Sequence, residues 1–126
     1  MNDFPKEYLF TDKHVWIHKL KNGRIQIGLT DYLLSWMGFC TEVEFPRLGQ
    51  KIEMGNACAH TKFTEYIYEV TAPVNGIVSA VNEELHDSPF LINEAPYTNW
   101  LIEIKPDEFG EDYLTAAGYA ALLGEQ

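Results

Sequence analysis

At 126 residues the chain has the size of one domain, and with 46% hydrophobic and 13% aromatic residues it is too apolar for a disordered segment. Nineteen acidic residues against nine basic ones give a formal net charge of -10, which repels polyanions and removes the attraction that dominates nucleic-acid binding. Nucleic acid and acidic membranes are thereby excluded as partners, and a basic protein surface is favoured.

Tyr8 to Phe10 and Val15 to Ile17 are strand formers. Lys21-Asn22-Gly23-Arg24 carries the Asn-Gly pair of a type I′ turn into Ile25-Gln26-Ile27-Gly28, which alternates apolar and polar, so a hairpin is predicted. Thr30 is placed to cap a helix, with Asp31 in the first turn where the dipole favours a carboxylate. Tyr32, Leu33, Leu34, Trp36 and Met37 follow, and Gly38 ends this helix after about two turns. Phe39 to Phe45 alternates again, with Phe39, Thr41, Val43 and Phe45 on one side and Cys40, Glu42 and Glu44 on the other; Pro46 stops it. Lys51 to Asn56 reads as a short strand ending in a turn.

Cys58 to Gly76 reads as an exposed hairpin. Ala59, Phe63, Tyr66, Ile67, Tyr68 and Val70 favour strands around a polar tip at Lys62 to Glu65, and Pro73 with Asn75-Gly76 closes the stretch as a turn. Alternate members of Phe63, Tyr66 and Tyr68 must face out of such a hairpin, which makes them candidate contacts for a protein partner. Beyond it, Ile77 to Val81 is a strand, Asn82 to Pro89 holds a helical turn, Phe90 to Asn99 is an extended loop, and Trp100 to Ile104 is a last strand closed by Pro106. Residues 107–126 switch to helix formers, with Tyr113, Leu114, Ala117, Ala121 and Leu122 near helical spacing, predicting a C-terminal helix on the sheets. The sum is a mainly β fold of two small antiparallel sheets with a short internal helix and a C-terminal helix, one domain over residues 1–126.

Chemistry-bearing residues are sparse. His14 with His18, and Cys58 with His60, have spacings that place each pair on one strand face, but nothing in the sequence makes the pairs converge, so no metal site is expected. Cys40 and Cys58 lack a partnering motif and are expected to be reduced, half-buried or buried thiols. His86 and Ser88 read as a loop turn before Pro89, and no catalytic constellation argues for an enzyme. No apolar leader follows Met1 and no run approaches the roughly 18 apolar residues of a spanning helix, so a cytoplasmic location is expected.

Taken in order, eight pieces carry a resemblance: F-T-D-K-H-V-W from Phe10, I-G-L-T-D-Y from Ile27, M-G-F-C-T-E-V-E-F-P from Met37, A-P-V-N-G-I-V from Ala72, V-N-E-E-L-H-D-S-P from Val81, L-I-N-E-A-P-Y from Leu91, W-L-I-E-I-K-P from Trp100 and Y-A-A-L-L from Tyr119. Nearly the whole chain resembles the H protein of the glycine cleavage system, a lipoyl-carrying relative of the lipoyl and biotinyl domains. The resemblance implies the lipoyl-type hammerhead, a flattened sandwich or barrel, and it locates the working position. In that family a lysine in E-S-V-K-A carries the lipoyl group at the hairpin tip, eight positions before the Pro of A-P-V; here that position holds Glu65, within Lys62-Phe63-Thr64-Glu65.

A carboxylate cannot accept the acyl group as a lysine amine does, so the resemblance implies that the swinging arm is absent and no cofactor is expected. Lys62 is an unsuitable substitute: it lies three positions away, on the opposite strand face, and reads as a solvated lysine or a partner of Glu65. The family's H-E-W glutamate, which helps hold the aminomethylated arm, is replaced by Val15, and its aspartate four positions after the lysine is Glu69. These are former cargo-pocket positions. The expected function is a non-catalytic docking or regulatory protein whose partner is a lipoate ligase or transferase, a glycine cleavage enzyme or another lipoate-dependent redox enzyme. The alternative is a working aminomethyl carrier in glycine decarboxylation through the glycine cleavage complex, with Lys62 modified or another group used.

Overall fold

The computed structural model describes residues 4–124. Its first three strands, β1 (Leu9–Phe10), β2 (Val15–Lys19) and β3 (Ile25–Leu29), form a meander in which Val15 pairs Leu29 and Ile17 pairs Ile27. The predicted hairpin is present, but its turn is not type I′, which needs positive φ at both central residues. Only Gly23 is left-handed (φ +88°); Leu20 N–H donates to Arg24 O at 2.8 Å, and Asn22 Oδ1 accepts from Arg24 N–H at 3.0 Å. Helix α1 (Asp31–Met37) begins as expected, with Thr30 Oγ1 accepting from Leu33 N–H, and stops at Gly38 (φ +85°), whose N–H reaches Leu34 O.

The remaining strands are β4 (Cys40–Glu44), β5 (Lys51–Ile52), β6 (Ala57–Phe63), β7 (Ile67–Thr71), β8 (Gly76–Val81) and β9 (Ile102–Pro106). Two antiparallel sheets result, one of six strands in the order β1-β2-β3-β9-β8-β5 and one of three in the order β4-β6-β7. They pack as an open sandwich, not a closed barrel, around Val15, Ile17, Ile27, Val43, Phe63, Val70, Val78, Ile102 and their neighbours. In β4 the strict alternation fails, because a bulge between Cys40 and Glu42 puts Cys40 and Val43 inward and leaves Phe39 and Thr41 outside. The Asn75-Gly76 pair does not close a hairpin either: it is the crossing from the small sheet to the large one. Asn75 Oδ1 accepts from Met54 N–H at 2.8 Å, and a Cβ on Gly76 would collide with the Lys105 carbonyl, so close backbone approach requires glycine there.

Between β8 and β9 the chain makes two single-turn helices, α2 (Glu84–Asp87) and α3 (Leu91–Glu94). The second replaces the predicted extended loop, since burying Ile92 draws that stretch into a turn of helix. The C-terminal helix is shorter than its composition implied. Residues 107–115 are non-helical and reach back to β1 through a Phe10–Leu114 bridge, and α4 (Ala116–Leu122) starts only at the Thr115 cap. Its inner face is Ala116, Tyr119, Ala120 and Leu123, whereas the expected Ala117, Ala121 and Leu122 point to solvent. That face closes a second cluster with Phe4, Phe10 and Trp16, which is why β2 is buried on both sides. Among the described residues no helix is long and apolar enough to cross a membrane.

Candidate functional site

The β6–β7 hairpin stands at one end of the small sheet. Its register runs from Ala57 opposite Thr71 to Lys62 opposite Ile67, and Phe63 N–H donates to Tyr66 O at 2.7 Å across a tip made of Thr64 and Glu65. Strand β6 is also paired on its other side with β4, so the tip is carried by three strands. Thr61, fully buried, adds a bond from Oγ1 to Tyr68 O at 3.0 Å, and Phe63 is wedged into the core. The tip is therefore a rigidly mounted, exposed turn, and the side chains it offers to solvent are Thr64 and Glu65.

Lys62 is committed elsewhere. Its Nζ lies 3.3 Å from Glu42 Oε2 and 3.4 Å from Glu44 Oε2, both on the neighbouring β4, and not beside Glu65 as the sequence reading allowed. Hydrogen bonds to the Glu42 and Glu44 carboxylates, reinforced by their charges, raise its pKa. An amine held protonated between two acids is a poorer nucleophile than a free lysine.

Val15 and Glu69, which the resemblance paired as cargo positions, face different environments. Val15 is sealed in the central core, while Glu69 stands off the outer face of the small sheet, 3.3 Å from His60 Nε2. The three aromatics expected to form one exposed patch also separate, because strand alternation and the core divide them. Phe63 is buried, Tyr68 is half-buried with its hydroxyl donating to Lys13 O at 2.6 Å, and Tyr66 alone of the three is open to solvent. A cleft of about 550 Å³ at the hairpin base, lined by Lys13, Met54, Thr71, Pro73, Asp112 and Leu122 among others, includes none of Val15, Glu65 and Glu69.

The paired histidines and cysteines have separate partners. His14, the single non-glycine residue with positive φ (+65°) among those described, shares a 2.6 Å hydrogen bond between Nδ1 and the Tyr119 hydroxyl; the His18 ring packs tilted against Tyr8. Cys58 Sγ donates to Val70 O, and Cys40 Sγ to Glu42 O. Burial pushes the Cys40 thiol up to about 11 and the Cys58 thiol up to about 12, so both stay protonated and unreactive near neutral pH. Sequence reasoning missed the network that Tyr119 completes: its hydroxyl also meets Thr30 Oγ1 at 2.8 Å, and Thr30 caps α1. Asn93 was missed as well. Its side chain bridges Gly38 O (2.7 Å) and Cys40 N–H (2.9 Å) from a position in sequence that gives no local signal.

Two packed antiparallel sheets with a three-strand-supported hairpin ending in an exposed turn define the hammerhead class to which lipoyl-type carrier domains belong. The model of the family described as "Glycine cleavage H-protein" matches residues 8–125. The chain is 37% identical over 127 residues to "Glycine cleavage system H protein 2" of Pseudomonas putida, covering 99% of this chain and all of that one. It is 38% identical over 117 residues to the "Probable glycine cleavage system H protein" of Pyrococcus furiosus, with 90% and 87% coverage. The crystal structure of a glycine cleavage system H protein from Mycobacterium marinum superimposes with a TM-score of 0.89 at 28% identity, over 96% of this chain and 99% of that one. The chain belongs to the glycine cleavage H-protein family.

Proposed function

We propose that this H-family protein carries no lipoyl group and acts by docking, as a non-catalytic regulator or scaffold for a lipoate-handling or lipoate-dependent redox enzyme. The single observation behind this reading is the tip: Glu65 occupies the exposed turn where the resemblance calls for a lysine. Amide formation needs an amine, and the nearest one in sequence, on Lys62, is paired with Glu42 and Glu44. Val15 in place of a glutamate adds to the case, since an apolar side chain sealed in the core cannot bind an aminomethyl group. Purified protein incubated with lipoate ligase, lipoate and ATP should keep its intact mass; a lipoyl increment would overturn the proposal.

Family membership itself favours a second reading, in which the chain still shuttles the aminomethyl group with lipoyl on Lys62. That reading requires glycine cleavage activity in a reconstituted system and its loss in Lys62→Ala. An unmodified chain that supports no turnover rules it out.

A further inference from the structure

Large apolar side chains are held in solvent at the tip end of the small sheet. Phe39 is 70% exposed, Ile67 64% and Tyr66 54%. The register gathers these three: Cys40 pairs Phe63, so Phe39 lies level with the Thr64–Glu65 turn, Tyr66 follows that turn, and Ile67 pairs Lys62 on the next outward-facing row. Phe39 is held out by construction. Gly38 before it and Cys40 after it are both clamped by the Asn93 side chain, and because Cys40 is turned inward, alternation turns Phe39 outward. Holding an aromatic in water with backbone hydrogen bonds on both sides leaves little ordering cost when it is buried by a partner.

The charge around this collar has one sign. Glu65 projects at the turn, Glu42, Glu44 and Glu69 line the outer face, and Lys62 is already held between Glu42 and Glu44. A partner complementary to it has an apolar socket for Phe39 and its neighbours with lysine or arginine at the rim, one of them reaching Glu65. We infer that Phe39, Tyr66 and Ile67 around Glu65 form the docking face of this protein, and that its occupant is a protein surface with a basic-rimmed apolar pocket. The inference rests on the docking reading above and names the surface and the partner chemistry that it uses.

The test measures binding of the full chain to purified lipoate ligase and to the glycine cleavage enzymes of Pseudomonas putida at low and high salt. At least one enzyme should bind, more weakly at high salt, and both Phe39→Ser and Glu65→Arg should weaken it about tenfold or more. Leu48→Ser removes a side chain 66% exposed on the loop before β5 and should leave binding unchanged. Since these positions are exposed, circular dichroism should show all variants folded. Binding that ignores Phe39→Ser and Glu65→Arg, or falls equally with Leu48→Ser, overturns the inference and leaves the docking reading standing. No binding to any of the enzymes retires both.

Discussion

Removing one hydroxyl, Tyr119→Phe, probes how the C-terminal helix is fastened to the fold. The ring itself stays packed, stacked on Phe10 at 5.0 Å and edge-on to Phe4 at 4.8 Å, so the change isolates the polar contacts. Two bonds are lost, 2.6 Å to His14 Nδ1 and 2.8 Å to Thr30 Oγ1. With His14 neutral, the order that satisfies every group runs from Leu33 N–H to Thr30 Oγ1, from the Thr30 hydroxyl to Tyr119, and from the Tyr119 hydroxyl to His14 Nδ1. Each bond contributes about 1 kcal/mol net, and stranding the fully buried Thr30 hydroxyl costs about 1 kcal/mol or more. The expected loss is about 2–4 kcal/mol, or roughly 8–15 °C in Tm for a chain of this length. Urea unfolding followed by circular dichroism reads it. A Tyr119→Phe variant within about 0.5 kcal/mol of the native protein would refute the reasoning, because that is the scatter of an unimportant surface change.

Titration of His14 belongs to the same network. Burial lowers its pKa, with Asp12 opposing and Lys13 adding to the shift. The folded value thus lies below the unfolded one, so the unfolded chain takes the proton more readily, and the stabilisation is present above about pH 6.5 and lost as pH falls through the folded pKa. Against His14→Asn, which tolerates the left-handed backbone and does not titrate, the native advantage in urea should be largest at pH 7.5 and shrink toward pH 5. An advantage constant across that range contradicts the assignment. Gly28→Ala places a Cβ about 2.5 Å from the Trp16 indole ring, whose Nε1 donates to Pro96 O at 3.0 Å; the ring has no room to retreat, and a loss of about 2–4 kcal/mol is expected in the same assay. Glu65→Lys puts an amine on the exposed turn, and lipoate ligase should then modify residue 65, as peptide mapping would locate; an unmodified variant shows that more than the tip residue has been lost. Thiol-reactive dye should label native Cys40 and Cys58 slowly at pH 7.5 and promptly after unfolding, whereas fast labelling of the folded protein would contradict their depth and raised pKa values.

How far the site could be read from residues depended on whether its signals were local. The resemblance counted eight positions back from Pro73 to Glu65, and Glu65 does lie in the exposed turn of the hairpin. The cap at Thr30 and the stop at Gly38 were legible because each acts within one helical turn. Non-local contacts were not legible. The bulge in β4 split Phe39 from Val43, which alternation had placed on one side, leaving Phe39 exposed and Val43 buried, and nothing in Phe39 to Phe45 marks the extra residue. Asn75-Gly76 and Asn22-Gly23 both carried a hairpin signature, yet one is a sheet crossing governed by the approach of Lys105 and the other a longer loop with one left-handed residue.

By itself the sequence determined the strand-rich fold, since alternation and caps are properties of neighbouring residues, and its eight ordered pieces carried the resemblance to the family. Only the tertiary structure decided what surrounds Glu65. Lys62 is drawn to Glu42 and Glu44 by the strand beside it, and Phe63 is pulled inside while Phe39 is pushed out. Tyr119 reaches across 105 positions to His14. These outcomes follow from which strands lie side by side and which face each turns to the core, and burial fixes that for the whole chain at once.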